Sequence, residues 1–159
     1  MSSVTPTQSA LTALFPIKAA YVDALRQQLI NNPINPAGLD QVGTVHFARI
    51  FVFQPNNPAG IAANIAAVIT TYDGAFAAYI QDFVNVPAVA DFFNQFLQAV
   101  DDPAAGGLVP VTKNAKAFAA FVQKYDATNP ANQWGQWYSA YPTLSVQNIL
   151  HPPTPPANQ

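Results

Sequence analysis

Residues 44–53 read T-V-H-F-A-R-I-F-V-F, and this stretch decides the fold. Its residues are mostly β-branched or aromatic and show no helical period, which predicts a β-strand. Successive side chains of a strand point to opposite faces. One face is expected to carry Val45, Phe47, Arg49, Phe51 and Phe53, and the other Thr44, His46, Ala48, Ile50 and Val52. Both sets are mostly apolar, so this strand should be covered on both sides.

The segments on either side of this strand have clear periods of their own. Residues 10–15 form a short apolar run that stops at a proline, which predicts a first strand. Residues 17–30 carry apolar side chains at helical spacing, whereas the Pro- and Asn-rich residues 33–43 are expected to form a loop. Residues 62–72 indicate another strand, and the short link predicts an antiparallel hairpin with residues 44–53.

After residue 72 the apolar period changes from that of a strand to that of a helix. Asp73, followed by Gly74, is expected to turn the chain and to cap the next helix. Three helices are predicted in succession, over residues 76–84, 89–100 and 114–125. Residues 136–141 are expected to form a last strand, which Pro142 ends, and residues 145–150 one helical turn.

The predicted order is strand, helix, strand, strand, helices, strand. That is the ferredoxin-like β-α-β-β-α-β plan of an α+β protein, an antiparallel sheet with extra helices before the last strand. Residues 10–150 are expected to form this single domain. Residues 1–9 are expected to be a flexible arm, and the Pro-rich residues 151–159 an extended tail.

Composition excludes several classes of function. The chain has 159 residues, of which 50% are hydrophobic and only 9% charged. Its six Lys and Arg are not clustered, which argues against a nucleic-acid surface or a basic membrane anchor. With no cysteine, disulfides and thiolate chemistry are excluded. No basic leader or apolar span of about 20 residues is found, so we expect a soluble, cytoplasmic protein.

The second face of the sheet needs a cover. An open face as apolar as that of residues 44–53 would be a large exposed patch. A second copy of the chain could cover it, with two sheets packed face to face in a homodimer. Alternatively, the extra helices at residues 89–100 and 114–125 could cover it within one chain.

Three motifs resemble a known superfamily. They are G-T-V-H-F-A-R at residues 43–49, Y-D-G at 72–74 followed by A-A-Y-I-Q-D-F, and W-Y-S-A-Y-P-T-L-S-V at 137–146. With the opening strand and helix, residues 10–150 resemble the dimeric α+β barrel proteins, in particular a poorly characterised group among them. The superfamily includes monooxygenases, haem-degrading enzymes, peroxidases and non-catalytic ligand binders, so the resemblance implies a fold and a dimer but not one function.

His46 is the only candidate catalytic residue that stands out. Imidazole is a common proton carrier, ligand-binding group or haem ligand, and His46 is expected to face a cavity. The alternative is a core histidine whose ring nitrogens bond to the backbone or to a neighbouring Thr or Tyr. Arg49, expected on the other face, needs a partner because an unpaired buried charge is costly. That partner is expected to be Asp73 or Asp82, or else an anionic substrate.

Aromatic residues are the other candidate for a binding site. Trp134, Trp137, Tyr138 and Tyr141 crowd the predicted last strand, while Tyr72 and Tyr79 flank the start of a helix. Such residues are favoured in cores and interfaces. They could also line a pocket for an apolar or planar ligand, with Tyr72, Tyr79, Trp137 and Tyr138 joining His46 and Arg49.

No metal site is expected. Asp101 and Asp102, with Asp91, read as a solvated helix end rather than a calcium or magnesium site. Three functions remain open: a self-associating domain that binds a small apolar ligand without catalysis, a monooxygenase- or peroxidase-like enzyme using His46, and an interaction domain that docks through its Pro-rich tail.

Overall fold

The computed structural model describes residues 7–31, 36–54, 60, 63–132 and 135–152. Within them, three strands form one antiparallel sheet: β1 (Gln8–Pro16), β2 (Val45–Phe53) and β3 (Ile65–Asp73). The order across the sheet is β1-β3-β2, so β3 is central. The strands predicted at residues 10–15, 44–53 and 62–72 are confirmed, as is the antiparallel pairing of the last two. The molecule is therefore an α+β protein with an open three-stranded sheet.

Six α-helices accompany the sheet among the residues described above. They are α1 (Val22–Asn31), α2 (Pro36–Val42), α3 (Phe76–Asn85), α4 (Pro87–Ala99), α5 (Ala115–Tyr125) and α6 (Val146–Leu150). Short 3-10 turns lie at Ala19–Tyr21, Ala105–Leu108 and Val111–Lys113. None of the helices among the described residues has both the length and the apolar character needed to cross a bilayer.

The loop predicted for residues 33–43 is wrong over most of its length, because α2 forms there. A proline at the first position of a helix and a glycine just after its end are favoured, and this segment has both. Gly43 follows α2 with a φ of 71°, in the left-handed region where glycine is the least strained residue. Pro36 therefore marks a helix start here rather than a loop.

One face of the sheet packs against the helices. Alternate residues of β1 and β3 are buried in a single core with the apolar stripes of α3, α4 and α5. Phe15 is central to it: its ring lies 5.2 Å from that of Phe96 in α4 and 6.2 Å from that of Phe121 in α5. Burying a side chain of this size contributes about 2–3 kcal/mol, so these contacts fix the helices on this face.

The other face of the sheet is not covered by these helices. It carries Leu14, Phe47, Phe51, Phe53 and Ile69, none of which belongs to the buried core. Phe47 is 73% exposed. Ala67, at the centre of this face, is 0% exposed and is flanked by its larger cross-strand partners Leu14 and Phe51. The predicted apolar character of both faces is thus present, but the extra helices cover only one of them.

The strand predicted at residues 136–141 does not form. The edge of β1 instead carries an isolated antiparallel bridge between Ala13 and Asp126, and a second bridge joins Ile17, just after β1, to Val100. Asp126 accepts the backbone N–H of Thr12 at 3.0 Å through its side chain, and Ala127 donates its N–H to the Thr12 carbonyl at 2.7 Å. A turn after Asp126, held by Asn132 Nδ2 on the Asp126 carbonyl at 2.7 Å, then ends the pairing.

The C-terminal segment, residues 135–152, lies across one end of the sheet. The carbonyl of Pro142 accepts the N–H groups of Thr7 at 2.7 Å and Gln8 at 3.2 Å. The helical turn predicted at residues 145–150 is confirmed as α6, which Ser145 and Asn148 begin with a reciprocal capping box. Of the predicted arm, Gln8 and Ser9 belong to β1; residues 1–6 and the tail residues 153–159 lie outside the described residues.

Candidate functional site

A β-bulge places His46 at the end of the sheet. Val45 pairs with Tyr72 and Phe47 with Thr71, so β2 advances two residues where β3 advances one. His46 is the additional residue, and it interrupts the regular alternation of side chains. Val45 consequently packs on the core, whereas Phe47 lies on the open face, although strict alternation had predicted one face for both.

His46 is held by a carboxylate. Its Nε2 lies 2.8 Å from Asp73 Oδ1, and the two side chains are only 5% and 11% exposed. The predicted partners, backbone or a Thr or Tyr hydroxyl, are therefore replaced by an acid at the last position of β3. Because a carboxylate accepts only, Nε2 carries the proton, and in the neutral ring Nδ1 is an acceptor.

Asp73 also holds the C-terminal segment. Its second oxygen, Oδ2, accepts the backbone N–H of Val146, the first residue of α6, at 2.7 Å. The prediction that Asp73 caps the next helix is wrong: α3 begins after Ala75, with no side-chain cap. Gly74 turns the chain with a φ of 86°, and the carboxylate bonds to His46 and Val146 instead.

Arg49 has neither of the predicted partners. It is exposed on the open face, opposite Ile69 of β3, and forms no ion pair with Asp73 or Asp82. The reason is that α3, which carries Asp82, packs on the opposite face of the sheet, and an exposed guanidinium needs no protein partner because water solvates it.

An open cleft of about 530 Å³ lies beside His46, and we call it the His46 cleft. Its described lining combines an imidazole, a carboxylate and several aromatic rings: Asp40, His46, Phe47, Trp137, Tyr138 and Tyr141. A second open cleft of about 550 Å³ shares Asp40, His46 and Phe47 and extends toward Leu39 and Gln147.

The C-terminal segment lines the His46 cleft, and polar contacts hold it to β1. Ser139 Oγ donates to Gln8 Oε1 at 2.7 Å, and Gln8 Nε2 donates to the carbonyl of Leu144 at 2.7 Å. These bonds involve none of the aromatic rings of the segment. Tyr138 is 86% exposed, and Tyr141 is also exposed.

The structure brings together three of the six predicted ligand-binding residues. His46, Trp137 and Tyr138 line the same cleft. Tyr72 and Tyr79 lie in the core, with their rings stacked at 3.8 Å, and Tyr79 donates its hydroxyl to Thr70 Oγ1 at 2.6 Å. Burial raises the pKa of Tyr72 to about 12 and that of Tyr79 further still. These two tyrosines serve packing.

Asp40 and Asp73 are the residues whose roles in the site the sequence reading missed. Asp40 lies on α2, within the segment predicted to be a loop, and so was not considered. The signal that could have located it is the proline and glycine that delimit α2. Asp73 was singled out, but its pairing with His46 depends on the bulge.

A second polar cluster is structural. Asp102 Oδ2 accepts Lys124 Nζ at 2.6 Å and the Tyr125 hydroxyl at 2.5 Å, while Oδ1 accepts the Ala104 N–H at 2.8 Å. These bonds, that of Lys124 foremost, lower the pKa of Asp102 to about 2. Asp102 is therefore buried and paired, and the prediction of a solvated Asp101-Asp102 end holds only for Asp101. Among the described residues no group of three or more His, Asp or other metal-binding side chains converges.

Haem could be coordinated by only one nitrogen of His46. Coordination through Nε2 would break the 2.8 Å bond to Asp73, which leaves Nδ1. Haem also carries two propionates, whereas the described lining offers the carboxylate of Asp40 and no Lys or Arg.

Compared with family models, with curated proteins and with solved structures, the chain has no match in any of the three.

Proposed function

We propose that this chain is a self-associating α+β domain that binds a small apolar or planar ligand in the His46 cleft without catalysis. The single observation that carries the proposal is the cleft itself, open, aromatic and adjacent to an imidazole of fixed orientation. Its volume of about 530 Å³ falls within the range of about 300–1,000 Å³ typical of small-molecule sites.

We also propose that the fold is ferredoxin-like and of the dimeric α+β barrel kind. The strand order β1-β3-β2 is the order that this plan gives to its first three strands. In that plan a fourth strand lies antiparallel to β1, where this chain has an isolated bridge between Ala13 and Asp126 and another between Ile17 and Val100. On this proposal, isolated bridges take the place of the fourth strand.

The open face of the sheet supports the homodimer. Strands of nine residues are about 30 Å long, and three of them span about 14 Å, which gives a footprint of about 400 Å². A partner in a standard interface buries about 800 Å². We therefore expect a reversible dimer, with a dissociation constant in the micromolar range.

The dimer is tested by light scattering at several concentrations. A particle of twice the 17.0 kDa chain is expected above about 100 μM, giving way to the single chain on dilution. Phe51→Lys, on the open face, should abolish the dimer. Ile30→Lys, at an exposed apolar position of α1, is the matched control and should not. A wild type that is monomeric at every concentration overturns the proposal of self-association.

Ligand binding is tested with a neutral planar dye such as Nile red. Saturable fluorescence enhancement at one dye per chain is expected, and Tyr138→Ser should weaken it, because Tyr138 lines the cleft. The exposure of Tyr138 means that the variant should fold normally. The control is Tyr21→Ser, at an exposed aromatic position outside the cleft. Binding that is not saturable, or that both variants reduce equally, overturns the assignment of the cleft.

An enzyme is the second candidate, favoured by the His46–Asp73 pair. An imidazole held by a carboxylate beside a cleft is suited to accept a proton, at Nδ1 here. Because the described lining offers no cation for the propionates of haem, the monooxygenase form is favoured over the peroxidase form. Oxygen consumption with a reactive phenol or quinol tests it: consumption by wild type that is lost in His46→Gln supports the enzyme, and equal rates in both contradict it.

A further inference from the structure

We infer that the ligand of the His46 cleft is a planar organic cation, an aromatic ring system that bears an ammonium or a similar N–H donor. This inference rests on the proposed function and goes further by fixing the charge of the ligand. Three independent features of the cleft lead to it.

The first feature is a carboxylate without a protein partner. Asp40 lines both clefts beside His46, its side chain is exposed, and no hydrogen bond or ion pair joins it to another described residue. Neither Lys nor Arg occurs among the described residues that line these clefts. The local charge is therefore negative, and an anionic ligand would be repelled.

The second feature is a set of accessible aromatic faces. Phe47, Trp137, Tyr138 and Tyr141 line the same cleft as Asp40, and all four are exposed. The face of an aromatic ring carries negative charge density and attracts a cation placed over it. The rings can also stack on a planar ligand, so they suit an aromatic cation better than an aliphatic one.

The third feature is the acceptor nitrogen of His46. Because Nε2–H bonds to Asp73 Oδ1 at 2.8 Å, the neutral ring presents Nδ1 as an acceptor. Nδ1 has no hydrogen-bond partner among the described residues. A ligand that donates an N–H would satisfy it, whereas a carboxylate would place one acceptor against another.

The test compares three naphthalene probes of one shape and different charge: 2-naphthylmethylammonium, 2-naphthylmethanol and 2-naphthoate. Calorimetric titration should show the cation binding about five- to tenfold more tightly than the alcohol, and the anion more weakly than either. Raising the salt concentration should reduce the preference for the cation, since the carboxylate is exposed.

Two variants test which side chains cause the preference for the cation. Asp40→Asn should reduce the cation-to-alcohol ratio about two- to fivefold, and Tyr138→Leu should reduce it by removing a π face while keeping an apolar side chain. Asp91→Asn is the matched control. It removes the same charge from an exposed site on α4 outside the cleft, and it should leave the ratio unchanged.

The outcomes separate this inference from the proposed function. If the alcohol binds as tightly as the cation, or if Asp40→Asn has no more effect than Asp91→Asn, the cation inference is wrong while the ligand site stands. If none of the three probes binds saturably, the proposed function fails with it.

Discussion

Asp73 joins three elements through one carboxylate, so replacing it with alanine should loosen the site without unfolding the core. The variant loses the bonds from His46 Nε2 at 2.8 Å and from the Val146 N–H at 2.7 Å. Hydrogen bonds to a charged group contribute about 1.5–3 kcal/mol each. Because the cleft is open, water can replace part of the hydrogen bonding that is lost. We therefore expect a loss of about 2–3 kcal/mol in the free energy of unfolding for Asp73→Ala.

The assay has a global and a local part. Urea unfolding followed by circular dichroism gives the free energy, and hydrogen exchange gives the protection of the Val146 amide. That amide should exchange faster in Asp73→Ala, while amides of β1 and β3 keep their relative protection. Asp73→Asn retains one acceptor oxygen and should lose about half as much stability. Asp91→Ala, at an exposed position, should change stability by less than about 0.5 kcal/mol.

A double-mutant cycle checks that the loss comes from this pair. His46→Ala and Asp73→Ala should show a coupling energy of about 1 kcal/mol, because each change removes the same hydrogen bond. The reasoning is refuted if Asp73→Ala is as stable as Asp91→Ala and the Val146 amide keeps its protection. Loss of stability without coupling would show that Asp73 acts through the backbone alone.

Three further predictions concern the rest of the fold. Tyr79→Phe should cost about 1–2 kcal/mol because it leaves Thr70 Oγ1 buried without its donor, and adding Thr70→Val should cost less than the sum of the single changes in urea unfolding. Asp102→Asn should remove a pH-dependent contribution. The pKa of Asp102 is lowered from 3.8 to about 2, so its stabilisation is present above about pH 4 and is lost as the pH falls through 2. The difference from wild type in urea unfolding should therefore narrow between pH 4 and pH 2, and a constant difference would contradict this. Gly74→Ala should lower the free energy of unfolding by about 1–2 kcal/mol, measured by heat or urea. The whole cost comes from the backbone, since φ is 86° and the added Cβ would meet no atom within 4 Å. An unchanged midpoint would show that the turn relaxes.

The strands were predictable because their signal is local. β2 and β3 are rich in β-branched and aromatic residues and are bounded by turn residues, and both form where the sequence places them, to within a few residues. The stripes of α3, α4 and α5 were equally clear, since their apolar side chains recur at helical spacing. Such a segment has the apolar period of one element, and Pro, Gly or Asn marks its ends. Its secondary structure therefore depends little on the rest of the chain.

The strand predicted at residues 136–141 does not form, because strand pairing depends on residues that are distant in the sequence. Residues 136–141 are rich in aromatic side chains, which suit a strand, but a strand also needs a neighbour that offers a free ladder of backbone groups. At the edge of β1, Asp126 and Ala127 already bond to Thr12. The C-terminal segment bonds instead to the start of β1, through Pro142, and its residues 135–145 form neither helix nor strand.

In the candidate site too, some residues could be recognised from the sequence and others only from the tertiary structure. His46, Trp137 and Tyr138 could be selected by residue type, since imidazole and aromatic rings are the chemistry of small-molecule sites. Asp40 could not be selected in this way, because an isolated aspartate on the surface is usually only solvated. Its significance comes from the cleft beside it, to which four separate segments of the chain contribute.

The sequence by itself determined that the chain is an α+β protein and that residues 44–53 form a strand with mostly apolar side chains on both faces, since side-chain period is a property of neighbours along the chain. Only the tertiary structure decided which face the helices cover, where the bulge lies and what His46 bonds to. The carboxylate that fixes His46 is 27 residues away, and the amide that shares this carboxylate lies a further 73 residues along. A shift of one residue in register would reverse the faces and break both bonds, and register is set by the packing of the whole sheet.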